Sequence, residues 1–401
     1  MKKTLLMLTT AVLVATSSLA YAEDVKVGAL MGVTGPLANF IPPILNAAKL
    51  AEQDINDNGG ILGGKTFKLV VADSQGAAQP AVDAASKLVN IENVVAIMGA
   101  LTSGATISSA NAVTIPNGVL QISPTATAPG VSDLDDNDYV FRIVPSDNYQ
   151  GAVLAKAVLE EGYGKVAVTY VNNDYGVGIG NTFKKAYEAL GGVVTKFSKH
   201  EDKKNSYRGE LASLASSGAD ALVVIAYAAG SGAKIVKQSL ENGFFDTFIG
   251  TDGLRDDILI QQVGLEALKN SFFTSPTSPG DNPAADSLHA RFDKQFGGGS
   301  DKPFVDQSYD ATMLIGLAIQ KAGSTDRAAI QAALRHVANA PGEIVGPGEW
   351  AKAIALIAEG KDINYEGASG SHEFDAKGDV AGFIGKYVAD GDSYKQVKIY
   401  E

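Results

Sequence analysis

Residues 54–73 read "DINDNGGILGGKTFKLVVAD". The stretch ends one helical pattern, turns on glycine and starts a strand. Upstream, "ILNAAKLAEQDIND" (44–57) places Ile44, Ala48, Ala51 and Ile55 on one helix face at the 3.6-residue period. Asn58, Gly59 and Gly60 then read as a helix C-cap, because glycine tolerates positive φ. Gly63 and Gly64 turn the chain into the strand "FKLVVAD" (67–73). Inside the stretch, "GGILGGKT" (59–66) fits the phosphate-loop pattern G-x-x-x-x-G-K-[ST]. A working phosphate loop follows a strand and opens a helix, so that helix N–H groups face the anion. Here the order is reversed, and a helix C-terminus carries partial negative charge. The match therefore predicts no ATP site.

The same order of elements extends outward. "VKVGALMG" (25–32) precedes the first helix, and "AVDAASKLVN" (81–90), "VVAIMGA" (94–100), "NGVLQISP" (117–124) and "YVFRIVP" (139–145) follow. A second part repeats it: strand "KVAVTYV" (165–171), helix "TFKKAYEAL" (182–190), strand "GVVTKFSKH" (192–200), helix "GELASLASSG" (209–218). "ALVVIAY" (221–227), "AKIVKQSLENG" (233–243) and "TFIGTDG" (247–253) complete it. In each part a Gly-Gly pair, Gly59-Gly60 or Gly191-Gly192, closes a helix before the second strand. The likeness is a weak internal repeat of element order. Apolar, non-alternating strands separated by helices imply parallel sheets covered on both faces. The expected fold is α/β, with two doubly wound, Rossmann-like lobes. "SFFTSP" (271–276), helical stretches at 286–296 and 308–323, and a C-terminal hairpin within 374–400 make up the rest. No low-complexity linker separates the halves, so several short crossings are expected. The crossings assign 23–144 and 275–360 to the first lobe, and 145–274 and 361–401 to the second.

The first residues read as an export signal. "MKK" is basic, "TLLMLTTAVLVATSSLA" is apolar, and "AYA" before Glu23 is a small-x-small cleavage site after Ala22. The apolar run is short for a membrane span of about 20 residues. No Cys follows it, which argues against a lipoprotein. About 379 residues then remain of 401, long enough for two domains. Removing Lys2 and Lys3 takes the formal charge from −12 to −14, a poor balance for a nucleic-acid binder. The absence of Cys excludes disulfides, thiol catalysis and Cys-zinc sites.

Catalytic motifs are not found. His200, His289, His336 and His372 lie far apart and read as surface or turn residues, and no H-E-x-x-H or G-x-S-x-G occurs. No catalytic residue, metal or cofactor is expected. "GVGIG" (176–180) sits between a strand and a helix, but Asn181 stands where a dinucleotide loop needs its last Gly. It reads as a flexible loop over a cleft. The residues just past strand ends are more informative, because open α/β sheets bind ligands there. Ser103, in "GALTSGAT" (99–106), falls at a helix start, where a hydroxyl, N–H groups and the dipole favour a carboxylate. "SPTATAPG" (123–130) offers Thr125 and Thr127, and "TDGL" (251–254) offers Asp252 as an acceptor for an ammonium. Each alone is also readable as a cap or a turn residue.

Together these segments resemble the periplasmic branched-chain amino-acid binding proteins of ABC importers, with the type I solute-binding fold. The resemblance spans nearly the whole mature chain. Its markers are "TGPLANF" (34–40), "INDNGGILGGKTFKLVVAD" (55–73), "MGALTSGAT" (98–106), "ISPTATAP" (122–129), "NNDYGVG" (172–178), "IGTDG" (249–253), "QSYDAT" (307–312) and "FDAKGD" (374–379). It implies that Ser103, Thr125 and Thr127 hold an amino acid's carboxylate and Asp252 its ammonium. Phe40, Tyr175, Tyr227 and Tyr309 would enclose the side chain. It also implies a soluble periplasmic receptor, monomeric, that closes on its ligand and is recognised by a membrane permease. Two departures stand out. Thr102 replaces a half-cystine found in some members, and Asp252 replaces a frequent Glu. The shorter acid leaves room for related solutes such as short amides, urea or aromatic acids, and a sensor could use the same fold.

Overall fold

The computed structural model describes residues 24–401; the expected export signal lies outside the described residues. The first sheet comprises β1 (Val25–Met31), β2 (Phe67–Asp73), β3 (Ala96–Gly99), β4 (Leu120–Ser123) and β5 (Val140–Arg142). The chain continues through β6 (Lys165–Val171), β7 (Val193–His200), β8 (Ala221–Ile225), β9 (Phe248–Gly250) and β10 (Phe272–Thr277). Short strands β11 (Glu343–Val345), β12 (Ile363–Gly367) and β13 (Gly370–Ser371) follow, then β14 (Phe383–Asp390) and β15 (Ser393–Tyr400).

The first sheet has the order β2-β1-β3-β4-β5, and all its pairings are parallel. The second reads β15-β14-β10-β9-β8-β6-β7. Its core, β7-β6-β8-β9-β10, repeats the order of the first sheet, so the repeat of element order is a repeat of topology. The β14–β15 hairpin adds antiparallel strands at one edge. Strands β3, β4, β8 and β9 are buried along their whole length, as strands covered on both faces must be. In this winding the order of connections reverses between β1 and β3, and again between β6 and β8. Clefts open at the carboxyl ends of the strands beside such points.

The opening stretch folds as its order demands. The helix Ile41–Asp57 buries Ile44, Ala48, Ala51 and Ile55. Gly59 and Gly60 take φ of 110° and 68°, and a Cβ on Gly60 would stand 2.5 Å from the Lys65 carbonyl oxygen. Ile61 and Lys65 exchange backbone hydrogen bonds of 2.8 Å across the turn. The Asn56 side chain accepts from the Phe67 N–H at 2.8 Å and donates to its carbonyl at 2.9 Å, seating β2 against the helix. The loop thus meets a helix C-terminus, the wrong dipole end for phosphate.

The chain crosses between lobes three times: after β5, after β10 and between β13 and β14. Two expected boundaries shift. β10 stays in the second sheet as far as Thr277 rather than leaving it at 275. β12 pairs with β11 rather than joining the second lobe at 361. Asp310, on the first-lobe helix Val305–Ala322, holds this segment by accepting from Tyr365 Oη at 2.7 Å and from the Ala368 and Ser369 N–H groups at 3.1 and 2.7 Å.

"GVGIG" is not a loop. It lies within the helix Asp174–Ala189, capped by Asn173, whose side chain accepts from the Gly176 N–H at 2.9 Å. The glycines serve close approach instead of flexibility. A Cβ on Gly176 would stand 2.1 Å from the Val171 carbonyl oxygen, and one on Gly178 would stand 2.7 Å from Pro129 Cδ in the facing lobe. Gly104 on the first lobe approaches Asp174 as closely: a Cβ there would stand 2.6 Å from Oδ2. The two lobes therefore touch across the mouth of the cleft.

Candidate functional site

A small cavity lies between the lobes at the strand ends. Phe40, Ser103 and Thr125 reach it from the first lobe, and Tyr175, Tyr227 and Asp252 from the second. Leu37, Ile44, Leu101, Gly253 and Phe304 complete the wall. Both polar ends are shut off from solvent: Ser103 is 2% exposed and Asp252 5%.

Ser103 is the first residue of the helix Ser103–Ser109. It does not cap that helix. Thr102 does, accepting from the Ala105 N–H at 3.4 Å. Ser103 Oγ accepts from the Ala128 N–H at 3.1 Å, which leaves its own O–H to donate. Thr125 is turned inward and donates to the Leu101 carbonyl. Thr127 is not on the cavity wall. It is buried deeper, its Oγ1 makes no hydrogen bond, and its carbonyl accepts from the Asp147 N–H at 2.8 Å.

Asp252 follows β9 in the 3-10 turn Asp252–Leu254. Its Oδ1 accepts from Gln150 Nε2 at 2.9 Å and from Tyr175 Oη at 3.0 Å. Burial pushes this carboxyl up to about 6, against the pull of those two donors. The Tyr175 ring stacks on Tyr227, with centroids 5.3 Å apart, and both phenols are held well above their ordinary range by burial. Phe40 ends the turn before the first helix and is buried.

Tyr309 is elsewhere, which corrects the expectation. Its hydroxyl donates to Asp54 and accepts from the Gly348 N–H at 2.9 Å. Arg291 binds the same Asp54 at 2.6 and 2.8 Å, so Tyr309 clamps first-lobe helices together. Its helix turns it toward the core, and Phe304, just before the helix start, faces the cavity instead. Phe304 has φ of 68°, an uncommon conformation for a bulky residue. Its place next to a helix start was the only sequence signal for it. Gln150 was missed because no helix was assigned over 147–160.

Two histidines also differ from expectation. His200 and His372 are buried rather than at the surface. His200 lies between Thr169 Oγ1 at 2.7 Å and Ser231 Oγ at 2.9 Å, and burial holds it down at about 4. Among the described residues, no group of three or more His, Cys, Asp or Glu side chains could hold a metal ion. No helix among them is long and apolar enough to cross a membrane.

Two lobes of the same winding, closed on a small cavity with an acid at one end and a helix start at the other, define a solute-binding receptor. The periplasmic binding protein family model matches residues 24–354, and the chain belongs to that family. It is 32% identical over 341 residues to the Leu/Ile/Val-binding protein BraC3 of Rhizobium johnstonii, covering 81% of this chain and 88% of that one. It is 30% identical over 322 residues to Leu/Ile/Val-binding protein homolog 3 of Brucella melitensis biotype 1, covering 80% and 85%. The fold is that of a leucine binding protein, LivK, from Thermotoga maritima, with a TM-score of 0.78 at 24% identity over 94% of this chain and 98% of that one.

Proposed function

We propose that this protein is the substrate-binding receptor of an ABC importer, and that its ligand is an amino acid with a branched or other small aliphatic side chain. The observation that carries this reading is the placement of Asp252 and Ser103 on opposite lobes of one closed cavity. A zwitterion is costly to desolvate unless both charges find partners. Asp252 serves the ammonium. Ser103 and the first N–H groups of its helix serve the carboxylate. Leu37, Phe40, Ile44, Leu101 and Phe304 offer apolar area to the side chain. An acid without an amine would leave Asp252 buried and unpaired, which disfavours aromatic acids. The names of the relatives, Leu/Ile/Val-binding proteins, point the same way.

Because ligand partners come from both lobes, binding favours the closed form. That closed form, a periplasmic monomer without catalytic activity, is what the membrane permease recognises. Titration calorimetry with L-amino acids, short amides and aromatic acids tests the reading. Leucine, isoleucine or valine is expected to bind at about micromolar Kd or tighter. No binding tighter than about millimolar across the panel would overturn it.

A further inference from the structure

Behind Asp252 lies a second acid that the proposed grip does not use. Asp147 opens the helix Asp147–Glu160 just after the first crossing. It is wholly buried, and neither of its carboxyl oxygens has a hydrogen-bond partner among the described residues. One turn along the same helix, Gln150 donates to Asp252 Oδ1 at 2.9 Å, so the helix ties the two acids into one cluster. Gln150 Oε1 and Thr127 Oγ1 in this cluster are also buried without partners. The cluster thus sets three partnerless acceptor oxygens, two on Asp147 and one on Gln150, beside a single free donor, the Thr127 hydroxyl.

The surrounding charges do not supply a close counter-ion to Asp147. Arg142, on β5, is committed to Asp379 at 2.7 and 2.8 Å and to the Thr127 and Ala128 carbonyls at 2.8 and 2.9 Å. Arg255, just past Asp252, attracts that acid and lies on the Tyr387 ring at 3.9 Å. Tyr175 and Tyr227 face both acids as neutral phenols, and Asp202 adds a further negative charge near Tyr227. A buried carboxylate whose donors and cations are this weak costs several kcal/mol, so the group keeps a proton instead. Burial first, and the charge of Asp252 second, hold the Asp147 carboxyl well above its usual range, against weaker pulls from the Thr127 hydroxyl and Arg142.

Resting on the amino-acid reading above, we propose that Asp147 is a positioning residue that carries a proton behind Asp252 and gives it up when a ligand ammonium arrives. The O–H bond of the Asp147 carboxyl breaks, the proton passes to solvent, and the ammonium stays charged against Asp252, with the Asp147 carboxylate behind it. The same exchange selects for ligands that carry a cation, because a neutral amide or an acid without an amine gives Asp147 no reason to ionise. Amino-acid affinity then rises with pH until Asp147 is ionised without ligand.

Calorimetry with L-leucine in phosphate and in Tris, whose ionisation enthalpies differ, counts the protons exchanged. At about pH 7, where Asp252 is already largely ionised, the wild type is expected to release a large fraction of one proton per leucine. Affinity is expected to rise several-fold between about pH 6 and 7.5. Asp147→Asn, which keeps the shape and removes the titration, is expected to release at most about a tenth of a proton at about pH 7, the share left to Asp252, and to leave only the Asp252 step near 6 in the profile. Leucine binding by the wild type without proton release would overturn the proposal and leave the receptor reading standing. Equal release by Asp147→Asn would also overturn it. Failure of every amino acid to bind would overturn both.

Discussion

Asp252→Ala is expected to weaken amino-acid binding at least about 30-fold, or ~2 kcal/mol, as for one partner removed from a buried charge pair. Among the described residues, Asp252 is the only carboxylate on the cavity wall. Its removal leaves a buried ammonium facing the Gln150 amide and the Tyr175 hydroxyl, both of which present donors to that spot. Donor against donor is worse than a simple lost contact. Fold stability should suffer less, since burial already destabilises the ionised acid and raises it to about 6. The sign follows from that shift. Above about 6 the carboxylate is charged and pairs with the ammonium; below it, the acid protonates and affinity falls. Calorimetry on the variant at neutral pH reads the effect, and unchanged affinity would remove Asp252 from the site.

The largest expected loss of stability is at Arg142. Its side chain is wholly buried and binds Asp379 through two nitrogens, at 2.7 and 2.8 Å. It also donates to the Thr127 and Ala128 carbonyls at 2.8 and 2.9 Å. Asp379 belongs to the third crossing between the lobes, and the Arg142 N–H reaches the Gly378 carbonyl of the same turn at 3.0 Å. One guanidinium therefore ties the 125–128 loop, which flanks the cavity, to a hinge segment. Arg142→Met keeps the apolar stem but leaves buried carbonyls without donors and Asp379 without its cation. Breaking such a pair costs about 3–5 kcal/mol. Urea unfolding followed by circular dichroism is the measurement. A loss below about 1 kcal/mol would show that the hinge does not depend on this pair. The sequence carried a hint of it, since "FDAKGD" resembled a family marker whose role becomes clear only when Asp379 meets Arg142.

What the sequence showed and what it hid divide along physical lines. The fold was legible because hydrophobic period is local: apolar strand runs and amphipathic helices can be read in windows of about 11–18 residues. Repeated element order then implied repeated winding. The place of Ser103 and Asp252 on the cavity wall was legible because both follow the carboxyl ends of parallel strands, where such folds open their clefts. Three-dimensional facing was not legible. Tyr309 and Phe304 are five residues apart, and only the helix's orientation decides that the phenylalanine meets the cavity. Thr127 and Thr125 differ by two residues and end at different depths. "GVGIG" misled because glycine serves both mobile loops and tight contacts, and the tight contact is made with the other lobe. Asp147 lay in plain view but gave no signal, since nothing local marks a carboxylate that will be buried without a partner.

A crystal structure of the protein grown with L-leucine tests the two-ended grip most directly. The ammonium is expected within about 3 Å of the Asp252 carboxylate, and the ligand carboxylate within about 3 Å of Ser103 Oγ. The side chain should lie among Leu37, Phe40, Ile44, Leu101 and Phe304. Leucine lying the other way round, or lodged outside the cavity between the lobes, would contradict it.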